Sequence, residues 1–346
     1  MVSSSKTDDF KTIDMQQLAD LAGVSRSTIS RGLSDSPLVN EKTKQKIREL
    51  ALKHNYVMNE TARNLRLQKS NIICMVLMLD AVAEQHTSDP FFLEMIGSVA
   101  DSLAIAGYDL LLYHEPIASA DDFRSSRACR QSDGIIIIGQ GRIHEELNLL
   151  AAFAPPIVVW GANVPGRKYR LVGSDNLQGG ALATRHLMAQ GCRRIAFFGD
   201  RELPELALRY EGYQQALGER GDSLDPSLEL AVPFESHHAN AVIEQFLDKK
   251  PKIEGIVCCS DLIAMSAIAS LHRHGIRVPE DVAVVGYDDI DIASRTHPAL
   301  TTISQDIRRA GELLVHKLTG AIKGKRMRDT ISTATLVVRE SSLHQG

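Results

Sequence analysis

"GVSRSTISRGLSDSPLVN" occupies residues 23–40. It is too polar for a core helix and too regular for a loop. Ser25 is a natural N-cap, with Ile29 and Leu33 at i and i+4 on one face of the short helix that follows. That leaves Arg26, Ser27 and Arg31 on the opposite face. Before it, Asp14 with Gln17 three residues on forms a capping-box pattern. Met15, Leu18, Ala19 and Ala22 share a helical face, and Gly23 can take the left-handed conformation that ends that helix. After it, Asn40 caps a third helix with Ile47, Leu50 and Ala51 inward. Two short helices joined by a tight Gly turn and backed by a third predict a helix-turn-helix unit. Such a helix fits the DNA major groove, where Arg reads guanine and Ser donates or accepts; a plain solvated face is the alternative.

Charge agrees with a polyanion at this end. The 346-residue chain has a net charge of −4, but residues 1–70 hold 12 Lys and Arg against 8 Asp and Glu. Residues 23–70 alone stand at +6, and the remainder of the chain from 71 on at −8. Next comes YVMNETARNLRLQKS (56–70), where Arg63, Arg66 and Lys69 surround Leu65 and Leu67. It is too short and polar for a stable isolated helix, and suits either a minor-groove wedge that orders on DNA or a linker.

From residue 71 the pattern alternates. Apolar runs of strand length fall at 72–79, 135–138, 157–160, 195–198, 255–259 and 282–286, with helical stretches at 92–106, 176–190, 205–220, 238–248 and 261–274. Continuous apolar strands separated by helices mean parallel sheets covered on both faces. So many residues predict two doubly wound lobes, with a ligand between them at the strand C-termini.

The stretch MQQLADLAGVSRSTISRGLSDSPLVNEKTKQKIRELALKHNYVMNETARNLR resembles the DNA-binding head and hinge of the LacI-type (lactose-repressor and galactose-repressor) transcription factors. LVGSDNLQGGALATRHLMAQGCRRIAFFGD and SDLIAMSAIASLHRHGIRVPEDVAVVGYDDIDIASRTHPALTTISQD extend the likeness through the body. The resemblance implies an α/β chain: a helix-turn-helix domain over 1–58, a hinge over 59–70, and a periplasmic-binding-protein-like effector and dimerisation domain over 71–346. Its first lobe would take about 71–172 and 301–340, its second about 173–300.

By the same resemblance Arg26, Ser27 and Arg31 read bases and Leu65 is the hinge wedge. The full DNA-facing set is Arg26, Ser27, Thr28, Arg31, Asn40, Tyr56, Asn59, Arg63 and Leu65. Asp14 stands where the family often has a phosphate-touching Thr, so only capping is assigned to it. In the cleft the implied effector contacts are Asp288 of GYDD, Arg209 of LRYEGY, Asp175 of GSDN, Ser260 of CSDL, and Phe91 and Phe92 of DPFF. Trp160 could face the cleft or the core. Asp175 could instead cap a helix, Arg209 could pair with Glu205 at i−4, and both Phe could be core. Gly161 stands where many relatives have an Asp, and Ser260 where some have Asn.

The expected function is a ligand-regulated, sequence-specific transcriptional regulator, in the sense of a repressor. It would bind a pseudo-palindromic double-stranded operator as a homodimer and respond to a sugar or sugar derivative. The alternative is a sugar-binding receptor or sugar-converting enzyme on the same fold. No GxSxG, Walker loop or HExxH occurs, so no catalytic group or cofactor is expected. His237–His238 and His272/His274 are poorly spaced for a metal. No apolar run spans a membrane and the start lacks a signal-peptide h-region. The five scattered cysteines form no disulfide framework, so a cytoplasmic location is expected. The ending VVRESSLHQG lacks a leucine heptad for tetramerisation.

Overall fold

In a computed structural model, residues 13–56, 69–115, 117–153 and 155–343 are described. The chain divides into two compact units, Met1–Ser70 and Asn71–Gly346.

The first unit holds α1 (Met15–Ala22), α2 (Arg26–Leu33) and α3 (Glu41–Lys53). Each boundary has its expected device. Asp14 and Gln17 complete the capping box, and Gly23 ends α1 at φ +68°. Ser25 Oγ accepts from the Thr28 amide and Asn40 Oδ1 from the Thr43 amide. Leu18, Ala19, Ala22, Ile29, Ile47 and Ala51 form the core. Gly32 is needed there, since a Cβ would lie 2.6 Å from Ile47 Cδ1. Lys44 is buried, paired with Glu41 at 2.7 Å and Asp35 at 3.0 Å. One of the head's positive charges is therefore internal.

The second unit contains two six-stranded sheets. Its strands are β1 (Ile72–Leu77), β2 (Asp109–Tyr113), β3 (Gly134–Ile138), β4 (Ile157–Trp160), β5 (Arg170–Ser174), β6 (Ile195–Phe198), β7 (Glu229–Leu230), β8 (Gly255–Cys258), β9 (Ala283–Asp288), β10 (Thr301–Ser304), β11 (Thr330–Ser332) and β12 (Thr335–Val337). The first sheet runs β11-β5-β4-β3-β1-β2 and the second β12-β10-β9-β8-β6-β7. All pairs are parallel except β10 with β12. On β1, Ile73, Met75 and Leu77 enter one core while Cys74 and Val76 enter another, so both faces are covered.

The helices are α4 (Pro90–Ala106), α5 (Ala120–Ser125), α6 (Arg127–Arg130), α7 (His144–Phe153), α8 (Asn176–Ala189), α9 (Pro204–Arg220), α10 (Ser236–Leu247), α11 (Asp261–Arg273) and α12 (Ile307–Ile322). α8 and α9 cross closely. A Cβ on Gly180 would stand 2.0 Å from the Arg209 carbonyl, and one on Gly212 2.0 Å from that of Leu177.

The chain passes between lobes after Ser174, again after Ser304 and again after Ser332. This corrects the expected lobe limits. Residues 301–304 and 335–337 belong to the second sheet, not the first lobe, and β5 keeps 173–174 in the first. Only α12 and β11 return to the first lobe, with α12 lying against α4 and β3. The reason is polar: β10 is TTIS, whose buried hydroxyls are satisfied by the Arg339 carbonyl and by Asp261. Apolar patterning does not reveal such a strand. All five cysteines are free and buried. No helix among the described residues is long and apolar enough to cross a membrane.

Candidate functional site

In the head, α2 buries Ile29 and Gly32 and leaves Arg26, Ser27 and Arg31 exposed on one surface. Thr28 is half-buried, its Oγ1 2.9 Å from Ser25 Oγ, so it belongs to the cap as much as to the surface. Asn40 is exposed, with its side-chain oxygen engaged in capping α3. Tyr56 packs on the head core, where burial raises its phenol pKa and the Arg26 charge opposes that shift. Asn59, Arg63 and Leu65 lie outside the described residues.

In the body, the carboxyl ends of β3, β4 and β9 open onto a cleft between the lobes, about 760 Å³ including its mouth. Parallel register brings the ends together: Leu77 is level with Ile138, and Ile138 with Trp160. Phe91, Phe92, Trp160, Arg209, Ser260 and Asp288 all line the cleft. Asp175 does not. It caps α8, accepting from the Gln178 amide at 3.0 Å, the helix-capping alternative rather than the ligand contact. Trp160 serves both purposes, lining the cleft while 4% exposed in the core. Phe91 and Phe92 meet edge to face at 5.5 Å.

Arg209 does not pair with Glu205. Its guanidinium lies 3.7 Å from the Tyr287 ring centroid. Nε donates to Asn176 Oδ1 at 2.8 Å, and Nη1 to the Cys259 carbonyl and to Asp288 Oδ1 at 3.5 Å. Asp288 ends β9 with φ +119°, a region L-residues rarely occupy. Its Oδ1 also accepts from Gln305 Nε2 at 2.7 Å. Burial pushes its carboxyl pKa up to about 7, with the Arg209 charge pulling the other way. Burial raises the neighbouring Asp261 well above the carboxylate range too, and the Asp288 charge adds to it. Asp261 ties the loop after β9 by accepting from the Ile290 amide at 3.0 Å. Ser260 Oγ accepts from the Ile263 amide as the cap of α11.

Sequence reasoning did not place Gln85, Asp89, Gln140, Glu205 or Phe234 in this lining. Gln140 fills the space above Gly161, where a Cβ would come within 2.8 Å of it, and exchanges two hydrogen bonds with the Ala162 backbone. That exchange is how the cleft accommodates glycine at this position. Glu205 Oε1 is shielded from solvent and has no hydrogen-bond partner among the described residues. Burial raises its carboxyl, with its own backbone amide, the Arg209 charge and then the Gln140 backbone amide pulling the other way. The available signal was position alone: Gln140 lies just past the end of β3, Glu205 in the first turn of α9 and Asp89 at the N-cap of α4.

Direct contacts join the lobes. The Phe234 amide donates to the Ala83 carbonyl at 2.8 Å, and the Asp291 amide to Glu94 Oε1 at 2.8 Å. Arg142 bonds Asp80 in its own lobe at 2.8 Å and reaches Glu202 and Asp200 in the other. His238 Nδ1 lies 2.8 Å from Glu84, which raises its pKa. Glu84, Glu235 and His238 bring one ligand atom each within 4.8 Å of the others, although the His spacing gave no metal expectation. Here the ring is already hydrogen-bonded to Glu84, and Glu235 caps α10.

Residues 14–59 match the family described as bacterial regulatory proteins, lacI family, and residues 184–342 a periplasmic binding protein-like domain. The HTH-type transcriptional repressor PurR of Haemophilus influenzae (strain PittEE) is 28% identical over 339 residues, covering 94% of this chain and 98% of the relative. The HTH-type transcriptional regulator CelR of Thermobifida fusca is 29% identical over 341 residues, covering 94% and 97%. Among solved structures, a transcriptional regulator CelR–cellobiose complex superposes with TM-score 0.69 at 26% identity, covering 95% of this chain and 99% of that one. A lac repressor dimer bound to operator and the anti-inducer ONPF superposes with TM-score 0.83 over 96% and 100%; at 22% identity this shows a shared fold.

Proposed function

The chain belongs to the lacI family of bacterial regulatory proteins, a DNA-binding transcriptional regulator, and we propose that a small hydroxyl-rich molecule in its cleft sets the grip of two paired heads on one operator. The observation that carries this is the outer face of α2, where Arg26, Ser27 and Arg31 stand exposed on a helix anchored from behind by Ile29. Arg and Ser suit base edges in the major groove. Two such heads on one duplex call for a homodimer and a pseudo-palindromic site, because half-site spacing mirrors protein two-fold symmetry. The sense is repression, and the place of action is wherever the chromosome lies, the cytoplasm.

The effector site comprises Arg209, Asp288, Ser260, Phe91, Phe92 and Trp160. One relative was solved with cellobiose, which supports a carbohydrate for this cleft. Ligand favours one arrangement of the lobes, and that arrangement is coupled to the heads. The coupling is reciprocal, so DNA alters effector affinity by the same factor as effector alters DNA affinity.

Selection of binding sites from random duplexes, followed by gel shift at stated salt, tests the reading. The parent is expected to select a pseudo-palindrome. Arg31→Ala should weaken binding by about 1–3 kcal/mol and relax preference at one symmetric base position. A loss equal on all sequences would assign Arg31 to phosphate, and a parent that selects no duplex would sink the reading.

A further inference from the structure

The cleft is rich in hydrogen-bond acceptors. Its lining carries three carboxylates, Asp89, Glu205 and Asp288, against one cation, Arg209. That cation is partly engaged: Nε and Nη1 are bonded within the protein and the guanidinium plane lies on Tyr287. Asp89 already accepts from the His86 amide at 3.1 Å, and Asp288 from Gln305. Glu205 differs. Its Oε1 is shielded from water and unpartnered among the described residues, in the first turn of α9 beside the apolar lining residues Leu203 and Leu206.

A buried acceptor without a donor is costly, and a bound group that supplies the donor recovers that cost. We propose that the cleft accepts ligands presenting hydroxyl or ammonium donors without negative charge and rejects carboxylates and phosphates, with Glu205 as the residue that imposes the choice. This rests on the reading of the cleft as the effector site. An anionic ligand group beside Oε1 would set like charges together where little water screens them. One cation does not offset three carboxylates, and Arg209 already engages Nε and Nη1 within the protein. An uncharged ring instead donates its hydroxyls to Glu205 and Asp288 and lays its C–H faces against Phe91, Phe92 and Trp160. The upward push of burial on the Glu205 carboxyl fits the same picture, because a donor relieves what burial imposes.

Calorimetry on the full chain with matched sets of sugars tests it: neutral mono- and disaccharides, the aldonic acids made from them, their 6-phosphates and their 2-amino-2-deoxy counterparts. The expected result is that a neutral or amino sugar binds and each acidic partner binds on the order of tenfold more weakly or worse. An amino sugar tighter than its parent identifies the donor at Glu205 as an ammonium; the reverse identifies a hydroxyl. Glu205→Gln, checked for folding by its melting temperature, should lose affinity for the neutral sugar and narrow its margin over the acid. The parent protein alone decides the matter if that variant does not fold. An acid or phosphate binding as tightly as its neutral parent overturns the inference while leaving the effector reading intact. If no member of any set binds, the effector reading itself falls and takes the inference with it.

Discussion

Asp288 concentrates the chemistry of the cleft in one side chain. It sits at a strand end, at positive φ, with Gln305 and Arg209 on the same oxygen. Burial raises its carboxyl to about 7, above the value of an exposed aspartate. A raised folded-state value favours the fold at low pH, and that contribution is lost as pH rises through about 7. Relative to the parent, Asp288→Asn should therefore gain in melting temperature as pH goes from 5 to 8. Effector affinity should move the opposite way in the parent. The ionised carboxylate accepts more strongly than the neutral acid, so binding weakens below pH 7, and the variant should lose that dependence. Calorimetry at pH 6 and 8 checks this, and a parent with flat affinity over that range would remove Asp288 from the contact set. Asp288 was legible because it ends an apolar run within GYDD. Glu205 and Gln140 were not, because nothing in a lone polar residue after a strand or early in a helix distinguishes cleft from surface until the fold is closed.

Elements were legible where they are apolar and continuous. IVVW and IAFF became β4 and β6 with the expected bounds, both faces of each being covered. The edge strand DLLLY and the hydroxyl-rich TTIS carry too little of that signal, as one is half-exposed and the other buries threonines. Close helix contact is similarly hidden. GG in DNLQGG reads as flexibility, yet Gly180 lies against the Arg209 backbone. Gly180→Ala should cost about 1–3 kcal/mol by overpacking and also weaken effector binding, since Arg209 must move. Gly218→Ala on α9, the helix that carries Arg209, has no neighbour within 4 Å and should be neutral or stabilise by about 0.5–1 kcal/mol. Thermal melts of the two variants check the contrast. Equal stability would mean the crossing yields without strain.

On the scale of the whole body, the lobes are joined by contacts no local pattern shows: Phe234 to Ala83, Glu94 to Asp291, and Arg142 reaching Asp200 and Glu202. Arg142 is the centre of this network and also neutralises the buried Asp80. Arg142→Met should favour separated lobes. Small-angle scattering of the unliganded variant should show a larger radius of gyration, and effector affinity should fall about three- to tenfold. Unchanged scattering and affinity would show that other contacts hold the cleft shut. The three passages between lobes, after Ser174, Ser304 and Ser332, carry a consequence for how the chain is made. The helices α1 to α3 of the head are complete once residue 53 has left the ribosome. Neither sheet of the body is, because β11 at 330–332 is an edge of one and β12 at 335–337 an edge of the other. A ribosome that stalls before residue 330 releases a chain with α1, α2 and α3 of the head and two sheets each lacking a final strand.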